Sequence, residues 1–312
     1  MISNFIRKLI SLLSFFYINK KINKKQNNKI LKEIRYKLEE KKTNNPSLKK
    51  THIIFNKNLK LLLIGNQINN FLREGFIQKM FFLHNRLFVF KELKALKKSK
   101  DWHLYKKLII ENHIGNPIRY FLYPSSSGNK INHVYHLSIL NNEFGIELKK
   151  IKKVFEFGSG YGCMASIFSK INKNIKYTCF DTFHVNLLQY YYLKHNKLNV
   201  GFNEKKNNFL LKSNIKKINS YHIKNSNYLF IANWSLSETP LKFRKNFEKI
   251  MKESKYILIC FQETFEEINN FKYFNSLKKN LYNFEVKIIE NNFYKGNFFN
   301  KQNHYFFIAK KL

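Results

Sequence analysis

Aspartate is nearly missing from this 312-residue sequence, which holds only Asp101 and Asp181 among its 20 acidic residues. Hard divalent cations want several carboxylate oxygens. With no Asp/His cluster to supply them, no metal site is expected. Cysteine is as scarce: Cys163, Cys179 and Cys260, with no CxxC pair. That argues against a zinc knuckle and a disulfide framework. Each cysteine reads as a small buried hydrophobe in a reducing compartment. No run of about 20 apolar residues exists, so no membrane-spanning helix is expected. The expected location is cytoplasmic, with peripheral contact to the inner face of the membrane left open.

Acidic charge is the other deficit. Lys and Arg number 57, and the net charge is +37. Such a balance suggests an anionic partner, either nucleic acid or acidic lipid. The chain is also rich in Asn, Ile, Phe and Tyr, as an A/T-rich genome would make it, so the lysines alone name no partner. At 44% apolar residues the chain has ample material for a core, and wholesale disorder is excluded.

Residues 1–148 read as a mainly helical N-terminal region. Phe5, Ile6, Leu9, Ile10, Leu13, Phe16 and Tyr17 recur at helical spacing, and a basic run follows at Lys20–Lys25. Residues 1–28 fit either the first amphipathic helix of that region or a helix lying on a membrane surface. Ile30, Leu31, Ile34 and Leu38 share a helical face. Further helices are predicted over Gln67–Leu83 and Phe90–Ile110, with a turn at Glu111–Pro117. Pro124–Asn129 reads as a loop, and His133–Leu140 as another helix.

From residue 149 the pattern changes to short apolar runs alternating with helical stretches. Strands are predicted at Val154–Phe157, Lys176–Phe180, Tyr228–Ala232, Tyr256–Phe261, Phe284–Ile289 and Tyr305–Ala309. Helices are predicted at Cys163–Ile171, Val185–His195, Leu241–Lys252 and Phe271–Leu281. This alternation implies an α/β domain over 149–312, built on a mostly parallel sheet. No helical stretch separates the last two strands, which are expected to pair antiparallel.

The strongest local signal is Val154-Phe155-Glu156-Phe157-Gly158-Ser159-Gly160-Tyr161-Gly162. The chain has ten glycines, and three fall within these five closing positions. Glycine permits positive φ and a close approach of ligand to backbone. A glycine turn between strand and helix suits a nucleotide. The dinucleotide spacing GxGxxG would need glycine at Cys163, so a nicotinamide enzyme is disfavoured. Asp181 follows Gly162 by 19 residues, at the end of the next strand. An acid there can accept hydrogen bonds from both hydroxyls of a ribose. The plain alternatives are a ligand-free turn for the glycines and a solvated turn acid for Asp181.

Together these residues resemble the class I S-adenosylmethionine-dependent methyltransferases. The resemblance implies a Rossmann-like methyltransferase sheet with an antiparallel last strand, and S-adenosyl-L-methionine as cofactor. It assigns cofactor binding to Glu156, Gly158, Ser159, Gly160, Tyr161, Gly162, Asp181 and Asn233. Phe180–His184, the helix Leu187–Leu193 and Leu229–Glu238 are more specifically similar to the bacterial sugar O-methyltransferase family. That resemblance covers roughly 150–240. It implies a small-molecule or glycan acceptor with a free hydroxyl, in surface polysaccharide or glycan biosynthesis.

After the fourth predicted strand stands Asn233-Trp234-Ser235-Leu236-Ser237-Glu238. The Pro-Pro-aromatic motif usual for methylation of base amines is missing there, which disfavours a nucleobase amine but not a ribose hydroxyl. Nucleic-acid methylation stays as the alternative that the charge suggests. Methylating a hydroxyl needs a base for its proton. Glu238, His304 and His184 are the candidates. Ser235-x-x-Glu238 equally fits a helix capping box. Tyr161 and Tyr190–Tyr192 suit either ligand stacking or helix packing.

Overall fold

The computed structural model describes residues 22–40, 50–81, 83, 89–215, 227–293 and 302–312. The candidate membrane-surface segment therefore lies outside the described residues up to position 21. No described helix is long and apolar enough to cross a membrane. The chain divides into two compact units. The first comprises residues up to Tyr135 with Gly160–Ile167 and Thr182–Val200. The second comprises His136–Ser159, Phe168–Asp181 and Gly201–Leu312.

The N-terminal elements are helical, as expected, but shorter than the periodicity suggested. α1 (Lys24–Glu40) buries Ile30, Leu31 and Ile34 on one stripe. α2 (Lys50–Ile64) follows. The single helix expected over Gln67–Leu83 is instead a 3-10 segment, Asn66–Arg73, and a short α3 (Gly75–Met80). Between them Glu74 is extended at ψ 126°. The carbonyls of Leu72 and Arg73, freed by this break, accept hydrogen bonds from the Gln78 amide.

The helix expected over Phe90–Ile110 is likewise two, α4 (Phe90–Lys98) and α5 (Trp102–Leu108). The Asp101 N–H donates to Ser99 Oγ at 3.2 Å, a local bond that competes with helix continuation.

Pro124–Asn129 is not a loop. Tyr123–Ser127 is strand β2, paired antiparallel with β1 (Arg119–Tyr120), and α6 (Gly128–Phe144) starts directly after it. Two of the serines that read as loop residues, Ser126 and Ser127, are buried and satisfied internally. Ser126 Oγ donates to the Ile109 carbonyl, and Ser127 Oγ to the Glu111 carboxylate.

The second half carries the sheet. In chain order it holds β3 (Lys153–Phe157), α7 (Cys163–Ile171), β4 (Lys176–Phe180), α8 (Phe183–His195), β5 (Val200–Gly201), β6 (Phe209–Lys212), β7 (Leu229–Asn233) and α9 (Leu241–Glu253). Then come β8 (Tyr256–Gln262), the small hairpin β9 (Thr264–Phe265) and β10 (Ile268–Asn269), α10 (Asn270–Asn280), β11 (Phe284–Glu290) and β12 (His304–Lys311). The eight-stranded sheet has the order β11-β12-β8-β7-β3-β4-β6-β5. The pairs β3–β4, β3–β7, β4–β6 and β7–β8 are parallel, and β12 runs antiparallel to both neighbours. This is the Rossmann-like sheet expected from the sequence.

Alternation decides which side chains meet. Phe155, Phe157, Phe180 and Phe230 lie in one buried cluster with Phe247 of α9 and Phe274 of α10. Glu156, between two of those phenylalanines, points to the other face with Tyr177 and Cys179. The three cysteines are buried and form no disulfide.

Candidate functional site

The strand order reverses at β3. Its successor β4 lies on one side and β7 on the other. In open α/β sheets a ligand lies beyond the carboxyl ends of the strands at such a reversal. Every residue singled out in the second unit sits at or near that edge.

Gly158 leaves β3 with φ +66°, and its N–H donates to the Phe180 carbonyl at 2.8 Å. A Cβ at this position would lie 2.1 Å from the Ser235 Cβ. Ser235 Oγ donates to the Phe157 carbonyl at 2.6 Å, so the start of the glycine turn is tied to the segment after β7. The turn continues with Ser159, Gly160 at φ +53° and Gly162 at φ +95°. L side chains avoid all three conformations, which explains the glycine spacing.

Asp181 directly follows β4, and its N–H donates to the Lys212 carbonyl. It is half-buried.

Glu156 is placed differently from a loop residue. It is 3% exposed, and Tyr177 Oη donates to its Oε2 at 2.7 Å. Burial raises its carboxyl to about 8; the Tyr177 bond opposes this, and the charge of Asp181 adds to it. It is largely a neutral acid at pH 7.

The β7 end is the most connected part of the site. Asn233 closes the strand, and Trp234 follows at φ +61°, a left-handed conformation costly for a bulky residue. Three bonds hold it there. Its backbone N–H donates to the Cys260 carbonyl, its indole Nε1–H to His304 Nδ1 at 2.9 Å, and its carbonyl shares the one Ser237 Oγ proton with Gln262 Oε1.

His304 begins β12 in register with Gln262 at the end of β8. An indole nitrogen only donates, so the His304 Nδ1 is bare and Nε2 carries the proton. The one lone pair a neutral His304 has for taking a proton is thus occupied.

Glu238 ends a single 3-10 turn, Ser235–Glu238. Ser235 and Glu238 do not form a helix capping box. α9 starts at Leu241 with Pro240 before it, and Ser235 spends its hydroxyl on Phe157. Burial raises the Glu238 carboxyl to about 7, partly opposed by a hydrogen bond with Gln262. Gln262 Oε1 accepts from Ser237 Oγ, which leaves its amide nitrogen to donate. A carboxyl titrating near neutrality suits a general base.

In the first unit, Tyr161 Oη accepts from Asn129 Nδ2 at 2.9 Å, and its ring packs against Phe71, Phe81 and Tyr192. The Gly160 carbonyl accepts from Gln189 Nε2 at 2.8 Å. His184 stands in the first turn of α8 against Phe183. Tyr190, Tyr191 and Tyr192 are packing residues. Their hydroxyls bond Glu33, Asn27 with Asn69, and Asn112 respectively.

Sequence reasoning missed the supporting residues His136, Gln262 and Cys260, because nothing in their local pattern separates them from core positions. Among the described residues no three His, Cys, Asp or Glu side chains gather as metal ligands.

No family model matches the chain, and no curated protein sequence does. Solved structures do. The methyltransferase domain of bacterial CtHen1-C is 13% identical, with 56% of this chain and 97% of that one covered and a TM-score of 0.41. A SAM-dependent methyltransferase from Aquifex aeolicus is 18% identical, covering 57% and 89%, with a TM-score of 0.40. An rRNA methylase from Streptococcus thermophilus is 12% identical, covering 59% and 96%, with a TM-score of 0.38. All three scores are low, and the fold of this chain rests on the strand order and register above.

Proposed function

We propose that this protein is an S-adenosylmethionine-dependent methyltransferase that methylates a hydroxyl of a sugar. The observation that carries the cofactor half is the turn after β3, with positive φ at Gly158, Gly160 and Gly162, beside Asp181 at the end of β4. The residues fit such a cofactor. The turn brings backbone amides close to a ligand, Asp181 accepts from ribose hydroxyls, and Asn233 Nδ2 is an enclosed donor with no partner among the described residues. Gly158, Ser159, Gly160, Tyr161, Gly162, Asp181 and Asn233 hold the cofactor in this reading. Glu156 supports the turn from within the sheet.

When bound, the cofactor supplies a methyl carbon on a sulfonium, open to displacement by an oxygen. Glu238 accepts the proton of the acceptor hydroxyl at its carboxylate, and Gln262 holds that carboxylate in place. His304 donates through Nε2 and positions the acceptor. His184, at the first turn of α8, is not needed for this scheme. The sugar half rests on the resemblance of residues 150–240 to sugar O-methyltransferases.

Calorimetric titration with S-adenosylmethionine tests the cofactor half. The wild type binds, and Asp181→Ala binds at least tenfold more weakly, as expected for loss of hydrogen bonds to a charged acceptor. No heat and no thermal stabilisation at millimolar ligand overturns it. A radiolabelled methyl-transfer screen over nucleotide sugars, glycans and RNA tests the acceptor. Methylation of RNA, with affinity falling steeply with salt, replaces the sugar reading by a nucleic-acid one and leaves the cofactor half standing.

A further inference from the structure

At the β7 end, His136 is fully buried on α6, and its Nδ1 lies 3.1 Å from Asn233 Oδ1. The Cys260 thiol, level with Asn233 on β8, donates to the same oxygen at 3.2 Å. His136 also packs edge-on against Phe306 and tilted against Trp234, which fixes its ring plane. The Cys260 sulfur also lies 3.3 Å from His136 Nδ1. An amide oxygen only accepts, so both neighbours donate to it; the thiol gives its one proton to Oδ1, and Nδ1 of His136 carries its own proton, facing both that oxygen and the sulfur. The two ends of the amide are thereby distinguished. The oxygen is saturated by two donors, while Nδ2 keeps two N–H groups with no partner among the described residues. A buried donor left this way is costly until an acceptor arrives.

We infer that His136 is a positioning residue, which with Cys260 locks the Asn233 amide so that its nitrogen donates to the carboxylate of bound S-adenosylmethionine. This rests on the cofactor reading above. In that reading Asp181 takes the ribose hydroxyls, and the cofactor's remaining strong acceptor is its carboxylate, which suits an N–H donor. His136 and His304, whose rings both contact Trp234, then hold opposite tautomers. His136 is protonated on Nδ1 and His304 on Nε2.

Nitrogen-15 NMR of the histidine rings in the unmodified protein reads these tautomers directly. His136 found with its proton on Nε2 overturns the inference, whatever the protein binds. The second measurement compares S-adenosylmethionine with 5′-methylthioadenosine, which lacks the amino-acid part. His136→Phe is expected to weaken S-adenosylmethionine about tenfold and leave methylthioadenosine unchanged. His136→Asn, whose amide N–H can stand where Nδ1–H stood, restores most of the loss. Equal weakening of both ligands marks general structural damage and overturns the positioning role, as does no weakening of either. If the wild type binds methylthioadenosine and not S-adenosylmethionine, the carboxylate assignment is overturned. If it binds neither, the cofactor reading falls and takes that assignment with it, while the tautomer result still decides whether His136 orients Asn233.

Discussion

Glu111 in the first unit and Glu156 in the second are both buried carboxyls, at 9% and 3% exposure, yet they hold opposite charge states. Burial alone would push Glu111 up. The Lys130 ammonium at 2.9 Å, the Ser127 hydroxyl and the charge of Arg119 together hold it below the ordinary carboxylate range. Lys130 is itself fully buried and is pushed up by the same pairing. Among the described residues Glu156 has the Tyr177 hydroxyl as its hydrogen-bond partner, and the charge that acts on it is that of another acid, Asp181. Equal burial therefore gives an ion in one place and a neutral acid in the other. The difference is made by what stands within hydrogen-bond distance, not by depth.

The sharpest way to break this contrast is to strip Glu111 of its partner. Lys130→Met leaves a buried carboxylate without its ion-paired ammonium, with only the more distant charge of Arg119 opposing burial, and is expected to cost roughly 3–5 kcal/mol in urea unfolding. The double variant Lys130→Met/Glu111→Leu should recover most of that loss, since a buried pair replaced by apolar groups is often neutral. A double variant no more stable than the single one would show that the pair is not the source of the cost.

The two regions also differ in how far they could be read from sequence. The boundaries of α7 and β4 agree with the expected ones, and β3, β7 and β12 are within a residue or two, because each is a short apolar run bounded by glycine or polar residues. The β3 turn was legible for the same reason, since three glycines in a glycine-poor chain mark positive φ. Strand β6 escaped. Phe209–Lys212 is four residues set in a lysine- and asparagine-rich stretch, too short to show a period. In the N-terminal region the failures were breaks and satisfied serines. Periodicity reported the apolar face of Phe90–Ile110 but not the Ser99–Asp101 bond that interrupts it. Ser125–Ser127 looked like loop because composition does not reveal that the Ile109 carbonyl and Glu111 lie within reach. Glu238 was legible as a candidate base, but its raised carboxyl depends on Gln262, 24 positions away in the chain.

Glu156 offers the next effect in size, and its sign is opposite. Its carboxyl stays protonated in the folded state to about pH 8, whereas in the unfolded chain it ionises near 4.5. Stability from this group is complete below the unfolded value and drains away as pH rises towards 8. Glu156→Gln keeps a neutral hydrogen-bonding group of the same size and removes the drain. The variant should match wild type at pH 4 and exceed it by on the order of 3 kcal/mol at pH 9, as judged by thermal or urea unfolding. Parallel pH profiles for the two proteins would mean that Glu156 is ionised in the fold, like Glu111. Buried partners would then matter less than the contrast claims.

The smallest effect separates two glycines of one turn. Gly158 and Gly160 both have positive φ, so alanine at either pays the left-handed cost of about 1–2 kcal/mol. Their surroundings differ. At Gly158 the new methyl meets the Ser235 Cβ at 2.1 Å, an atom close to the backbone that cannot swing aside. At Gly160 it meets the Phe81 ring at 3.5 Å, an ordinary contact. Gly158→Ala must therefore displace Ser235 and its bond to the Phe157 carbonyl, adding a further overpacking cost of roughly 1–2 kcal/mol. Unfolding midpoints of the two variants, measured side by side, should rank Gly158→Ala below Gly160→Ala. Adding Ser235→Gly to Gly158→Ala should close the gap by removing the clashing atom. If the two single variants are equally stable, the turn relaxes around either methyl. The tie between the β3 turn and the segment after β7 is then looser than the Ser235 contact implies.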